Sequence, residues 1–407
     1  MFYAVTLALV IGGVMGALVL MVHLRNERTG RWLQLERARS NVRSAAHWAL
    51  VQQPLDAIPT ETVLFPDGGD TISMQRVSFG VLDLVHTSAK VQGRIITEQG
   101  LAGGAMPQDR VLELDGSAGP LHLAGEARIT GNVRVPGGDV RRGFIEGRPF
   151  TGSVVVDGQV ERQQGELQVV PKATRERVVQ WCTENPGYPL VPYAPLGVEE
   201  DPVEVTALQG LPVIEFVGPK VWGGARVQGP VLIRCTDTLT LMADLDLHWC
   251  IVQAPFIIIR AGFKGDIQCF ATRGITLGNG CMLKFPSLLA VERDVHHDAG
   301  AFIHIASDAL VQGGVVALDE GLRGRSGALV RIDAGAQVDG EVLVEGAIQH
   351  QGTIRGLLRA KELHLRTAAS IYRGYILDGR IMPWVEGGGW TLGLMGDPAL
   401  RRMIDRS

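Results

Sequence analysis

The amino-acid sequence predicts a mainly β protein: a β-solenoid or β-helix-like body on a long N-terminal helix that is half transmembrane span and half stalk. Three observations lead there. From Phe2 to Gln52 no proline interrupts the chain, and this stretch divides into an apolar half and a polar, arginine-rich half. Glycine recurs at regular short steps among branched aliphatic residues. Glycine is also abundant, at 52 residues, while 46% of the chain is hydrophobic, which excludes low-hydrophobicity disorder and favours strands joined by tight turns.

Residues 1–23 form the predicted span. Phe2 to Val22 carries no charge, and a helix of about twenty residues covers the roughly 30 Å hydrocarbon core. No basic segment precedes the apolar run and no A-x-A site follows it, so a retained span is expected rather than a cleaved signal. Gly12, Gly13 and Gly16 share one side of it, a spacing that permits close helix packing. Residues 24–53 form the predicted stalk. Trp32, Leu35, Ala38 or Arg39, Val42, Ala45 and Ala49 recur at three- and four-residue steps, the period of one helix face. Gly30 costs about 1 kcal/mol relative to Ala within a helix and marks a candidate bend. Pro54 and Pro59 close the helix.

A helix of this length, half membrane-embedded and half amphipathic, resembles the first helix of type IV pilins and pseudopilins. Phe2 stands where the mature chain of that family usually begins, and Thr6 where most such subunits carry Glu. The resemblance covers residues 2 to 53 and implies a subunit that assembles through its helix.

Residues 54–110 are expected to form a β-rich connector or cap. Thr62 to Phe65 and Thr71 to Val77 flank a turn at Pro66-Asp67-Gly68-Gly69-Asp70, and Gly80 to His86 and Ala89 to Thr97 continue as strands. Residues 111–170 form a first β-repeat segment. Gly125, Gly131 and Gly137 stand six apart, Gly152 and Gly158 repeat the step, and an apolar residue follows two after Gly131, Gly152 and Gly158. Residues 171–202 form a proline-rich connection, with a short helix over Thr174 to Cys182 and then Pro186, Pro189, Pro192, Pro195 and Pro202. Residues 203–382 form the main β segment, where strands such as Ile257 to Ile259, Phe302 to Ile305 and Leu329 to Ile332 recur, and Gly340, Gly346 and Gly352 repeat the six-residue step. Branched residues are expected to point into each coil and glycine to take the corners. In the tail, residues 383–407, Pro398 to Ile404 is a candidate helix.

The glycine–hydrophobic spacing of residues 335 to 357 is similar to that of bactofilins, whose β-helical domains polymerise end to end. This second resemblance implies a scaffold facing the cytoplasm.

Two clusters are candidate sites. Asp244, Asp246 and His248 alternate with Leu245 and Leu247, so a strand would place all three on one face. Carboxylates and a basic group on a β-helix face would suit an acidic polysaccharide. Asp294, His296, His297 and Asp298 combine ligands suited to a divalent metal or an acid–base pair, although an ordinary solvated loop between coils is the preferred account of them. The glycine pairs lack the phosphate-loop form, no cofactor is expected, and the enzyme question leans to no. The five cysteines show no CxxC spacing and are expected to be buried free thiols.

A net charge of −4 supplies no basic field for nucleic acid. The expected partners are the lipid bilayer and envelope proteins or further copies of the chain. The leading expectation is a membrane-anchored structural or assembly component of a bacterial cell-envelope system, in the manner of a minor pilin. The alternatives are a polysaccharide-binding or polysaccharide-processing protein and a cytoplasm-facing scaffold. Arg25, Arg28, Arg31, Arg37, Arg39 and Arg43 follow the span and by the positive-inside rule favour a cytoplasmic body. Read instead as stalk surface, they leave the expected location as the inner membrane, with the body in the periplasm.

Overall fold

The computed structural model describes residues 2–51, 59–65, 69–104, 110–116, 119–183, 189–193, 196–197, 210–293, 300–319, 329–384, 392–395 and 401–404. The chain is mainly β. It divides into a unit of residues 1–77, 84–102 and 403–407 and a larger unit of residues 78–83 and 103–402.

In the first unit, helix α1 spans Phe2–Val51 and runs unbroken through Gly30. Its apolar half is long and apolar enough to cross a membrane, and every residue from Phe2 to Thr29 is exposed in the isolated chain. The buried stripe comprises Ala38, Asn41, Val42, Ala45, Ala49 and Leu50. It begins a turn later than the sequence predicts, because Trp32 is 59% exposed and Arg39 points to solvent beside Glu36. The small side chains let helix and sheet approach closely. Val42 and Ala45 pack on Ile72 and Ala89, while Ala49 and Leu50 pack on Met74, Val85 and Ala102. The polar exception, Asn41, donates to the buried Asp70 carboxylate at 3.1 Å, which also accepts from Arg37 at 2.6 Å. That ion pair meets the desolvation cost of Asp70 with two donors.

The strands behind this helix are Thr60–Phe65, Asp70–Phe79, Leu82–Val91 and Arg94–Gly104, in that order across the sheet, with Arg401–Ile404 added at the edge. The first two form the predicted antiparallel hairpin. The third and fourth strands are joined at Gln92–Gly93, not broken at residues 87–88, because Gln92 and Gly93 both adopt positive φ. Residues 401–404 are a strand where the sequence favours a helix; pairing at a sheet edge overrides the local propensity.

The second unit is built on a 23-strand sheet among the described residues, and most of its pairs are parallel. Ala225–Cys235, Asp246–Gln253, Lys264–Ala271, Met282–Glu292, Leu310–Leu318, Gln337–His350 and Thr353–Arg366 pair successively in one ladder. Thr238–Leu241, Phe256–Ile259, Gly274–Leu277, Phe302–Ile305 and Leu329–Ile332 form a second ladder, which joins the Gln337–His350 strand at Ala347. From Ala225–Cys235 to Leu310–Leu318, each strand thus meets the one two places on in sequence.

Inward residues stack in register. Val227, Leu247, Gly265, Leu283, Val311, Val338, Ile354, Ile381 and Ile129 form one such column, and Phe263 fills the space that Gly265 leaves. Leu239, Ile257, Ile275, Ile303, Val330, Ile348 and Leu363 form another. Two of the predicted glycines sit where a side chain is excluded. A Cβ on Gly340 would lie 1.8 Å from the Gly313 carbonyl oxygen, and one on Gly158 would lie 2.2 Å from that of Gly131. No side chain fits such a stack.

The early repeat segment does not precede the main ladder in space. Thr353–Arg366 pairs with Arg380–Met382 and Leu112–Leu114; those strands pair with Arg128–Thr130 and Val133–Pro136, and the last rung is Val156–Asp157 with Val160–Gln163. Residues 111–163 therefore extend the ladder beyond residue 382 in one continuous sheet. The buried Glu113 carboxylate holds this junction, bound by Arg359 and flanked by Arg110 and Arg134 at 3.6 Å.

One outward face of the ladder is itself covered. Helix α2, Lys172–Thr183, lies on it, with Trp181 stacked on Phe270 and Gln253 donating to the Trp181 carbonyl at 2.9 Å. Gln268 accepts from the Val81 amide and donates to the Phe79 carbonyl, and Glu341 accepts the amides of Leu394 and Met395. Burial on both sides explains the near-continuous apolar runs of these strands.

Candidate functional site

A polar row runs along an uncovered outward face of the same ladder. Parallel register aligns Arg226 with Asp246 and Lys264, and Gln228 with His248 and Asp266. Inward Val227 and Leu247 fix these neighbours outward by the two-residue alternation of the strand. His248 stands between two carboxylates: its Nε2 lies 2.9 Å from Asp246 Oδ1 and its Nδ1 2.6 Å from Asp266 Oδ1. The second Asp246 oxygen accepts from Arg226 Nε at 2.8 Å.

The hydrogen bond to Asp266 raises the His248 pKa against the lowering effect of desolvation, and the charges of Asp266 and Asp246 add to the rise. When protonated, the ring donates from both nitrogens and leaves no lone pair for a general base. Both contacts of Asp246 are likewise spent within the row. The arrangement is a charged brace across successive rungs.

Of the three residues predicted together, Asp246 and His248 meet. Asp244 precedes the strand, in the turn closed by the Leu245 amide on the Met242 carbonyl. Asp266 and Arg226 belong to the cluster but were not singled out from the sequence, because each comes from a different rung; only the register brings them in. The row continues as Gln312, Asp339 and Arg355. Burial pushes the Asp339 carboxyl up, opposed by a 2.8 Å hydrogen bond from Gln337 and by the charge of Arg355.

The second ladder carries a similar pair, His304 Nε2 to Asp333 Oδ2 at 2.8 Å, with Arg331 on the other oxygen at 2.7 Å. Burial would raise Asp333, but the His304 and Arg331 hydrogen bonds prevail and hold its carboxyl below the usual range. The predicted metal cluster Asp294, His296, His297 and Asp298 lies outside the described residues. Among the described residues no group of His, Cys, Asp and Glu is arranged to hold a metal ion.

All five cysteines are buried and free. Desolvation raises the thiols of Cys182, Cys250, Cys269 and Cys281, so they act as core residues rather than nucleophiles.

No family model, curated protein or solved structure matches the chain.

Proposed function

We propose that the protein is a single-pass, membrane-anchored structural or assembly subunit of a bacterial cell-envelope system. In this reading the N-terminal unit is pilin- or pseudopilin-like, and the body is a β-solenoid outside the cytoplasm. One observation carries it: a single continuous helix leaves its apolar half without contacts in the chain while its second half packs on an antiparallel sheet. Such a helix has an exposed surface that a bilayer or neighbouring helices would cover. The solenoid reading draws support from the two parallel ladders, their inward aliphatic columns and the stacked glycines.

The Asp244, Asp246 and His248 face has less support as a reaction centre, since Asp246 and His248 are engaged by each other, Arg226 and Asp266. The cytoplasmic scaffold keeps one argument, the arginines that follow the span.

Because the native cysteines are buried, an introduced Val14→Cys would be the accessible thiol for cross-linking in native membranes. Cross-linked adducts, together with activity of an export-dependent reporter fused after Ser407, are the expected result. A reporter silent outside and active in the cytoplasm would transfer support to the scaffold reading. The absence of any adduct along the span would remove the assembly reading.

A further inference from the structure

At the junction where the early repeat segment joins the ladder lies a cleft of about 870 Å³, within the usual size range of ligand sites. Three successive rungs line it, through residues 380–384, 126–130 and 151–157. The register column of Arg226, Asp246 and Lys264 passes through Met282 and Leu310 to Gln337 and Thr353, and ends on Arg380 and then Arg128, which are directly paired neighbours.

Two guanidinium groups on directly opposed positions repel each other, and a sheet tolerates this where an anion lies between them. Their own partners are weak. Arg128 is 4.0 Å from Asp157 and Arg380 is 3.8 Å from Glu126, with all four side chains more than half exposed. Pairs of that length and exposure contribute little, so an incoming carboxylate could replace them without a buried charge being abandoned. A guanidinium pair matches the planar geometry of a carboxylate.

Apolar and aromatic groups line the cleft as well. Trp384 does so with Met382 and Val154. Its indole rests on Gly356, where an added Cβ would come within 3.2 Å of Cε2, so the neighbouring rung sets the ring position. Thr130 and Ser153 add hydroxyls. A charged pair for carboxylates, an indole for the apolar face of a ring and hydroxyl groups between them define one kind of ligand.

We propose that this cleft binds an acidic oligosaccharide, with a uronate carboxylate on Arg128 and Arg380 and a sugar ring against Trp384. This goes beyond the assembly role: it gives the body a glycan contact separate from the membrane helix.

The test is calorimetric titration of the full-length protein in detergent micelles with a uronic-acid trisaccharide, its methyl-esterified form and sodium sulfate. Expected are binding of the acid, at least tenfold weaker binding of the ester, and a similar loss for Arg128→Gln with Arg380→Gln and for Trp384→Ala. The comparison of acid with ester on the unaltered protein needs no variant to fold. No binding of the acid, or equal binding of acid and ester, would overturn the proposal. Sulfate binding as tightly as the trisaccharide would also overturn it, by reducing the cleft to a simple anion site.

Discussion

The two units solve the same problem, burying an apolar surface, by opposite means. In the first, one helix supplies a stripe of small residues from a local 3.6-residue period, and Ala38, Val42, Ala45 and Ala49 close on an antiparallel sheet. In the second, no strand buries its apolar side alone. Val227, Leu247, Leu283 and Val311 acquire neighbours only through the rungs beside them. The difference is one of connectivity. The stripe closes on the few strands directly behind it, while each rung of the ladder is flanked by two others, so that register is shared along the stack. Damage to the ladder should therefore spread, and damage to the stripe should remain local.

The largest expected effect is at the junction of the early and late segments. Glu113→Ala leaves Arg359, Arg110 and Arg134 without the buried carboxylate between them, and should destabilise the ladder by about 3–5 kcal/mol. Urea unfolding should show a lower midpoint, with hydrogen exchange rising first in residues 111–163. Uniform loss of protection throughout both units would contradict the division drawn here.

Acid compares the units directly, because among the described residues each buries one histidine. Burial lowers both His86, in the first unit, and His350, in the second, from 6.5 to about 4; His350 also donates to the Arg380 carbonyl at 3.1 Å. A depressed folded value means that each unfolded histidine binds its proton first as pH falls. The stability contribution is thus complete above pH 6.5 and is lost progressively down to about 4. The maximum loss is roughly 3 kcal/mol for each group. His350→Gln should flatten this dependence in the ladder and leave that of the sheet around His86 intact, as NMR titration or pH-resolved hydrogen exchange can show.

A smaller effect is expected where the helix meets its sheet. Ala45→Leu overfills the fully buried contact with Ile72 and Ala89 and should cost about 1–3 kcal/mol. The resulting increase in exchange should be confined to residues 38–51 and the strands behind them.

The smallest concerns the brace. Its raised His248 value has the opposite sign: the contribution is complete below pH 6.5 and disappears as pH rises through the folded value. With the ring 40% exposed, His248→Gln should cost less than about 1 kcal/mol at pH 5 and almost nothing in alkali. A loss that grew with rising pH would reverse the assigned charge state.

By itself, the sequence determined what local periodicity and sterics can express. Proline-free apolar and amphipathic stretches specify one long helix, Val42, Ala45 and Ala49 identify its packing face, and the two strands flanking residues 66–70 pair antiparallel as expected. The spaced glycines announced positions that only a missing side chain can occupy, as Gly158 and Gly340 do. Tertiary structure alone decided which rungs touch. It set residues 111–163 after residue 382, joined Arg226 and Asp266 to the Asp246–His248 pair, left Asp244 in a turn, and made residues 401–404 a strand. The physical reason is that alternation tells a residue which face of its strand it occupies, whereas parallel pairing between strands that are not consecutive chooses its neighbours.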